Sequence, residues 1–352
     1  MSQLFRPGQA AVAGFVPTIG ATKLITPRGG GGASFPLDPD TTVAWRFTDG
    51  SLKDLVNGLS LTHTRPSDGT YFNPSGVLKI ATTDEPRFDH DPATGNTPLG
   101  IRCENARTNL FLNSGAPVTQ GVTTAAAAYS ISVIGPGTVT LSGTGVGVAS
   151  EGSPATITCS AGTLTCTVAG GPDFVQVELG DFHSTMIITN GATATRAQDR
   201  YTTLDLSWLT PDVGTAYAKG ICNADASEPT ANLWQVSSGS SANYIYVIGR
   251  TNGVYRSIKR TASVSETLNS LNAYPDGVVH KTAVAWAVND FELYVDSVRS
   301  GTGLQTLGGP DGLSQLDLGA DLAGNFSWWG TIAEWGYAKV RKDNQFLEDV
   351  TT

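Results

Sequence analysis

The sequence predicts an all-β protein made of tandem antiparallel β-sandwiches behind an extended N-terminal arm. Three observations carry that expectation. The 352 residues include 41 glycines and only 15 % charged side chains, a composition that suits many short strands and disfavours long helices. Apolar residues alternate with Thr and Ser in short runs, as in Ala155-Thr-Ile-Thr-Cys159, the period of a half-buried strand. Turn signals such as Asn57-Gly58 and Asn73-Pro-Ser-Gly76 separate the runs.

Residues 1–40 have no usable periodicity. Pro7, Pro17 and Pro27 interrupt small apolar groups, and Gly29 to Gly32 follow as a hinge. Such a stretch cannot bury enough surface to fold alone. Leu4, Phe5, Val12, Phe15, Val16 and Ile19 are too apolar for a solvated tail, so they are the residues expected to dock on a partner protein. The alternative is an arm that packs back on its own domain.

Residues 41–114 read as a lead-in β segment, with strands expected at 42–47, 58–63 and 76–81. Residues 115–195 read as a small sandwich, with strands at 128–134, 137–142, 155–159, 164–168 and 174–179. Within it, Cys159 and Cys166 flank Ser-Ala-Gly-Thr-Leu-Thr in an apparent hairpin, facing one side. They are either two small apolar groups in the core or a cross-strand disulfide formed after release from the cell. Residues 196–352 read as a second, larger sandwich, with strands at 201–209, 214–219, 244–248, 253–258, 280–286, 289–295 and 330–337.

The most specific stretch is residues 86–114, Pro86-Arg-Phe-Asp-His-Asp-Pro-Ala-Thr-Gly95 through Glu104-Asn-Ala-Arg-Thr-Asn-Leu110 to Ser114. It resembles a segment that recurs in virion proteins of tailed bacteriophages, ahead of β-sandwich modules. His90 and Cys103 are the departures from that pattern. Thr64-Arg-Pro-Ser-Asp-Gly-Thr-Tyr71 and Gly76-Val-Leu-Lys79 resemble the same family's lead-in. "GTLTCTV" and "VQVELGDFHST" resemble the small carbohydrate-binding-like jelly rolls of phage fibres. "FELYVD" followed by "GTIAEWGY" resembles the concanavalin A-like and laminin-G jelly roll. Together the resemblances cover residues 40 to 345. They imply a fibre, spike, collar or head-decoration component in the virion, assembled in the host bacterial cytoplasm. Other virion proteins are its expected partners, and closed three-fold symmetry its expected assembly.

The totals exclude several classes. A net charge of −9 argues against a nucleic-acid backbone or an anionic bilayer as partner. There is no run of 18 apolar residues for a membrane span, and Met1 to Pro7 lack the pattern of a secretory signal. Four dispersed cysteines and four dispersed histidines offer no metal-ligand spacing, so neither metal nor cofactor is expected. Asp89-His90-Asp91 could gather oxygens around a cation, but Asx capping of the following turn is the simpler use.

No enzyme activity is expected. Jelly-roll glucanases carry Glu-x-Asp-x-x-Glu on one strand face, whereas Glu292-Leu-Tyr-Val-Asp296 has the wrong spacing. There is also no Gly-x-Ser-x-Gly elbow. Glycan binding is better supported, since sugar sites combine exposed aromatic rings with amide and carboxylate hydrogen bonds. The candidates are Trp234, Asn243, Tyr244, Tyr246, Asn252, Tyr255 and Trp329, with at most one of Trp328 and Trp329 facing solvent. The expected function is therefore virion docking by the arm and host-glycan adhesion by the sandwiches. A cementing protein without a ligand is the first alternative, and a polysaccharide depolymerase the weaker one.

Overall fold

Alternation sets which side of each strand is buried. In Tyr244–Arg250, Ile245 and Val247 are buried between half-exposed Tyr244 and Tyr246, and Val43 and Trp45 turn inward from Thr41–Arg46 in the same way. The computed structural model describes residues 35, 37–223, 230–250, 252–300 and 306–352. Among these, every ladder is antiparallel and the only α-helix is Asn344–Thr351. The protein is all-β, in two antiparallel sandwiches, the smaller inserted in the chain of the larger rather than preceding it in tandem. The docking residues Leu4, Phe5, Val12, Phe15, Val16 and Ile19 lie outside the described residues.

The large sandwich packs an eight-stranded sheet on a seven-stranded one. The first runs Val298–Arg299, Asp290–Val295, Val279–Ala287, Gly214–Cys222, Gly330–Ala338, Thr97–Cys103, Phe88–Asp91, and Thr41–Arg46 also pairs with Gly330–Ala338. The second runs Thr62–Thr64, Arg200–Thr203, Gln315–Leu318, Thr230–Ser237, Tyr244–Arg250, Arg256–Thr261, Val264–Asn269. Between them lies a core that includes Trp45, Trp234, Trp286, Trp328 and Trp335.

Strands of the stretch 41–114 thus belong to both sheets of the large sandwich. The stretch is not a separate body ahead of the sandwiches, because its strands find partners in residues 194–196, 200–202 and 330–338. The small sandwich is inserted between them. Its sheets run Gly147–Ser150, Thr138–Gly143, Gly162–Ala169, Gln120–Thr124 and Ala155–Cys159, Ala127–Ile134, Phe174–Leu179.

Local expectations change in several places: the strands expected over 58–63 and 253–258 lie at Thr62–Thr64 and Arg256–Thr261. The strand expected over 201–209 ends at Thr203, and the chain then turns so that Trp208 can pack on Trp45 and Trp335. Strands Thr230–Ser237 and Val264–Asn269, unmarked in the sequence reading, complete the seven-stranded sheet. The helix Asn344–Thr351, capped by the Asp343 carboxylate accepting from Phe346 N at 2.8 Å, seats Leu347 with Phe35, Tyr217 and Tyr294. It covers part of the outer side of the eight-stranded sheet.

Candidate functional site

Residues 86–114 contribute Arg87 and Glu104 to a buried ionic hub. Arg87 pairs with Asp199, both side chains fully buried, and also reaches Glu104 at 2.8 Å and the Thr185 hydroxyl at 2.7 Å. Arg65 donates to Asp199 at 2.9 Å, and Arg196 lies 3.2 Å from Glu104. Burial alone pushes the Asp199 carboxyl up. Arg87, the His63 hydrogen bond and Arg65 override it and hold the group well below the usual carboxylate range. For Glu104 the same opposition between burial and Arg196 with Arg87 ends in a strongly lowered carboxyl.

The remaining signature residues are equally occupied. Asn109 donates to Ile187 O at 2.8 Å and accepts from Phe111 N and Val177 N, each at 3.0 Å. Ser114 and Thr189 exchange backbone-to-hydroxyl bonds at 2.8 and 2.9 Å. Asp89 accepts from Phe72 N at 2.7 Å and pairs with Arg102, while Asp91 accepts from Ala93 N at 2.9 Å. No trio of metal-ligating side chains occurs among the described residues. The segment joins the inserted sandwich to the large one and presents no free charge to a ligand.

Of the seven residues nominated for glycan contact, the structure removes three. Trp234 is fully buried and Tyr255 is 4 % exposed, both in the core between the sheets. Trp329 is 3 % exposed, enclosed by Phe182 at 5.0 Å and by the Arg107 guanidinium at 4.8 Å. Neither Trp328 nor Trp329 faces solvent. The left-handed backbone at Trp329, φ +54°, breaks the strand alternation that would have sent one of them outward. Asn243 holds a turn by accepting from Ala262 N at 2.7 Å, and Asn252 is exposed beside Val254.

Cys159 and Cys166 are not hairpin partners. Cys159 pairs with Ala127 in one sheet of the small sandwich, and Cys166 with Leu141 and Gln120 in the other. The turn between them carries the chain across the core. All four cysteines are free and buried, and burial pushes the Cys166 thiol up to about 12.

Tyr244 and Tyr246 remain. They stand half-exposed on the outer face of the seven-stranded sheet, with ring centroids 5.0 Å apart and planes 20° from parallel. Cross-strand register places Gln235 and Ile258 on either side of Tyr246, with Asp317 beyond Gln235. A bulge between Asn232 and Trp234 keeps Asn232 and Gln235 on this face although they are three residues apart, and Asn232 Nδ2 donates to Gln235 Oε1 at 3.1 Å. Arg256 and Arg260 stand opposite Ile248 and Tyr244. Asp317 is sequestered by Gln315 at 2.8 Å and Arg200 at 3.5 Å, and burial pushes its carboxyl up to about 6. Asn232 and Gln235 are themselves buried, and the two tyrosine rings stack on each other with the Arg260 guanidinium 5.7 Å from the Tyr244 centroid. The face therefore offers half-exposed tyrosines and guanidiniums, which can pack against a sugar ring and hydrogen-bond its substituents.

The sequence reading missed Gln235, Asp317, Arg256 and Arg260. Their signal was the period-two spacing within strands it had not all placed.

No protein-family model and no curated protein matches the chain. Among solved structures, the chain is similar to the Ruminococcus gnavus IT-sialidase CBM40 bound to alpha2,3 sialyllactose, at 16 % identity and TM-score 0.35 over 41 % of this chain and 84 % of that one. Domain 4 of AbnA, a GH43 extracellular arabinanase from Geobacillus stearothermophilus, in complex with arabinotriose, matches at 11 % identity and TM-score 0.37 over 46 % and 77 %. The heptameric SAP-like pentraxin from Limulus polyphemus matches at 10 % identity and TM-score 0.29 over 40 % and 70 %. At TM-scores of 0.29 to 0.37 these likenesses carry no inference about this chain.

Proposed function

We propose that the protein is a non-catalytic structural component of a tailed-bacteriophage particle whose large sandwich adheres to host-surface glycan through the outer face of its seven-stranded sheet. The observation that carries the adhesive part is the half-exposed Tyr244–Tyr246 pair, with Arg260 and Arg256 on the adjoining strand. Half-exposed tyrosines on a sheet face, next to hydrogen-bond donors, are the chemistry that holds a pyranose. The virion assignment rests on the resemblance of residues 64–79 and 86–114 to phage proteins. Residues 1–40 serve as the docking arm, and the assembly is a closed homo-oligomer, three-fold by expectation.

A depolymerase is not supported by this face. Hydrolysis of a glycosidic bond uses two carboxylates flanking it, whereas Asp317, the carboxylate among the strand residues here, has a side chain only 2 % exposed. The cementing alternative is favoured by one fact: the signature side chains are spent on internal bonds, so the resembling segment itself has no ligand role.

Two experiments test the proposal. Full-length protein and Tyr246→Ala are applied to a glycan array; binding by the first and its loss in the second support adhesion, and no binding by either supports cementing. Protein lacking residues 1–40 is then tested for incorporation into purified particles. Folded but absent protein places the anchor in the arm, and normal incorporation places it in the sandwiches.

A further inference from the structure

Among the described residues, and apart from Arg107, which lies over the Phe182 and Trp329 rings, the arginines divide into two sets. Arg46, Arg65, Arg87, Arg102, Arg196, Arg200, Arg299 and Arg341 each have a carboxylate within 4.0 Å. Arg250, Arg256 and Arg260 have none among the described residues, although the chain carries a net charge of −9. All three lie on the two strands that carry or adjoin the tyrosine pair.

Register puts them on the same face. On Tyr244–Arg250 the outward set is Tyr244, Tyr246, Ile248 and Arg250; on Arg256–Thr261 it is Arg256, Ile258 and Arg260, opposite Ile248, Tyr246 and Tyr244 respectively. Arg256 and Arg260 thus bracket the Tyr246–Ile258 pair, about 13 Å apart along the strand. Their neighbours are neutral: Arg256 Nε donates to Asn269 Oδ1 at 2.7 Å, and Arg260 Nη1 to the Tyr244 hydroxyl at 3.3 Å. The Nε atoms of Arg250 and Arg260 are buried without a hydrogen-bond acceptor. Asp317 lies three strands from Arg256–Thr261 in the sheet order, about 14 Å away, and is already engaged by Arg200. Desolvation and then the like charge of Arg250 both weigh against the charge on Arg256, as expected of cations crowded without a counterion.

Like charges gathered on a sheet face repel unless an anion joins them. Planar guanidiniums match carboxylate and sulfate oxygens in two-point hydrogen bonds. We infer that the Tyr244–Tyr246 face takes an acidic sugar, its ring packed against the tyrosines and its carboxylate or sulfate held by Arg256 or Arg260, with Arg250 adding to the positive field. This rests on the adhesion reading above and names its ligand class.

The test uses matched pairs on one array: lactose with 3′-sulfolactose, and methyl-esterified oligogalacturonate with the free acid. The full-length protein is expected to hold each acidic member about tenfold more tightly than its neutral partner, the gain of one charge-assisted contact. That preference should shrink severalfold as salt rises from about 50 mM to about 500 mM. Arg256→Gln/Arg260→Gln should erase the preference. Equal or tighter binding of the neutral members overturns the inference and leaves glycan adhesion standing. Retained preference in a folded double variant also overturns it. If no member is bound, both readings fall. The salt series on unmodified protein decides the matter even if the variant does not fold.

Discussion

Arg87 and Asp199, 112 residues apart in sequence, form an ion pair with both side chains at 0 % exposure. The first belongs to the segment that precedes the inserted sandwich and the second to the strand region that follows it. Their pairing, extended by Glu104, Arg65 and Arg196, closes the chain around the insertion.

Removing Asp199 leaves buried Arg65 without a carboxylate and Arg87 with Glu104 alone. Asp199→Asn is therefore expected to destabilise the protein by about 3–5 kcal/mol, read as a fall in the denaturant midpoint. Replacing Arg87 and Asp199 together with Met and Leu should cost less than the sum of the single changes. An additive result would mean the two groups do not interact.

The hub also sets acid sensitivity. Asp199 and Glu104 are held below their unfolded values by the opposing arginines despite burial. Their stabilisation is therefore complete above the ordinary carboxylate range, near pH 4, and is lost as pH falls through and below it. Unfolding free energy measured against pH should drop on the acid side, and the drop should be shallower in Asp199→Asn.

Asp317 has the opposite sign. Burial raises its carboxyl from 3.8 to about 6, so the folded state binds the extra proton and stability declines as pH rises from about 4 to about 6, by at most about 3 kcal/mol. The difference between wild type and Asp317→Asn, followed over that window, should reproduce this decline. A flat difference would show that the carboxyl is unperturbed.

Trp234 and Tyr246 separate stability from binding. Trp234→Ala removes a fully buried ring and should cost about 3–5 kcal/mol. Tyr246→Ala acts on a half-exposed ring and is expected to lower the melting temperature only slightly while abolishing glycan retention. Loss of retention in a folded Trp234 variant alone would contradict the assignment.

The thiols give a direct check on the small sandwich. All four cysteines are buried and free, and Cys103 and Cys222 are pushed well above the ordinary thiol range, with burial as the largest cause. A thiol reagent should titrate almost none in native protein and four after denaturation. Two missing thiols in the denatured sample would reveal a bridge.

Gly100 can be tested similarly. Its φ is +98°, and a Cβ there would lie 2.1 Å from the carbonyl oxygen of Ile332 on the neighbouring strand. Gly100→Ala should destabilise by at least about 2 kcal/mol.

Much of the strand pattern was legible because it is local. Alternation and turn residues marked Ala155–Cys159 and Phe174–Leu179 with their boundaries, since side-chain parity and turn chemistry need no distant partner. Thr230–Ser237 escaped because its bulge and its continuous burial hide the alternation.

The candidate site was legible only in Tyr244 and Tyr246. Trp234 and Tyr255 carry the same chemistry and the same local pattern, yet they fill the core. Parity says which residues share a face, not which face another sheet will cover.

From sequence alone, then, came the all-β class, the short-strand grammar and the distinctive stretch at 86–114, all consequences of local propensity and composition. Tertiary structure decided which sheet each strand joined, that residues 41–103 complete the large sandwich rather than precede it, and that Arg87 meets Asp199 while Arg256 and Arg260 meet no acid among the described residues. Those outcomes depend on contacts between residues tens to hundreds of positions apart, and hydrogen-bond register and burial choose among pairings that the local pattern leaves equivalent.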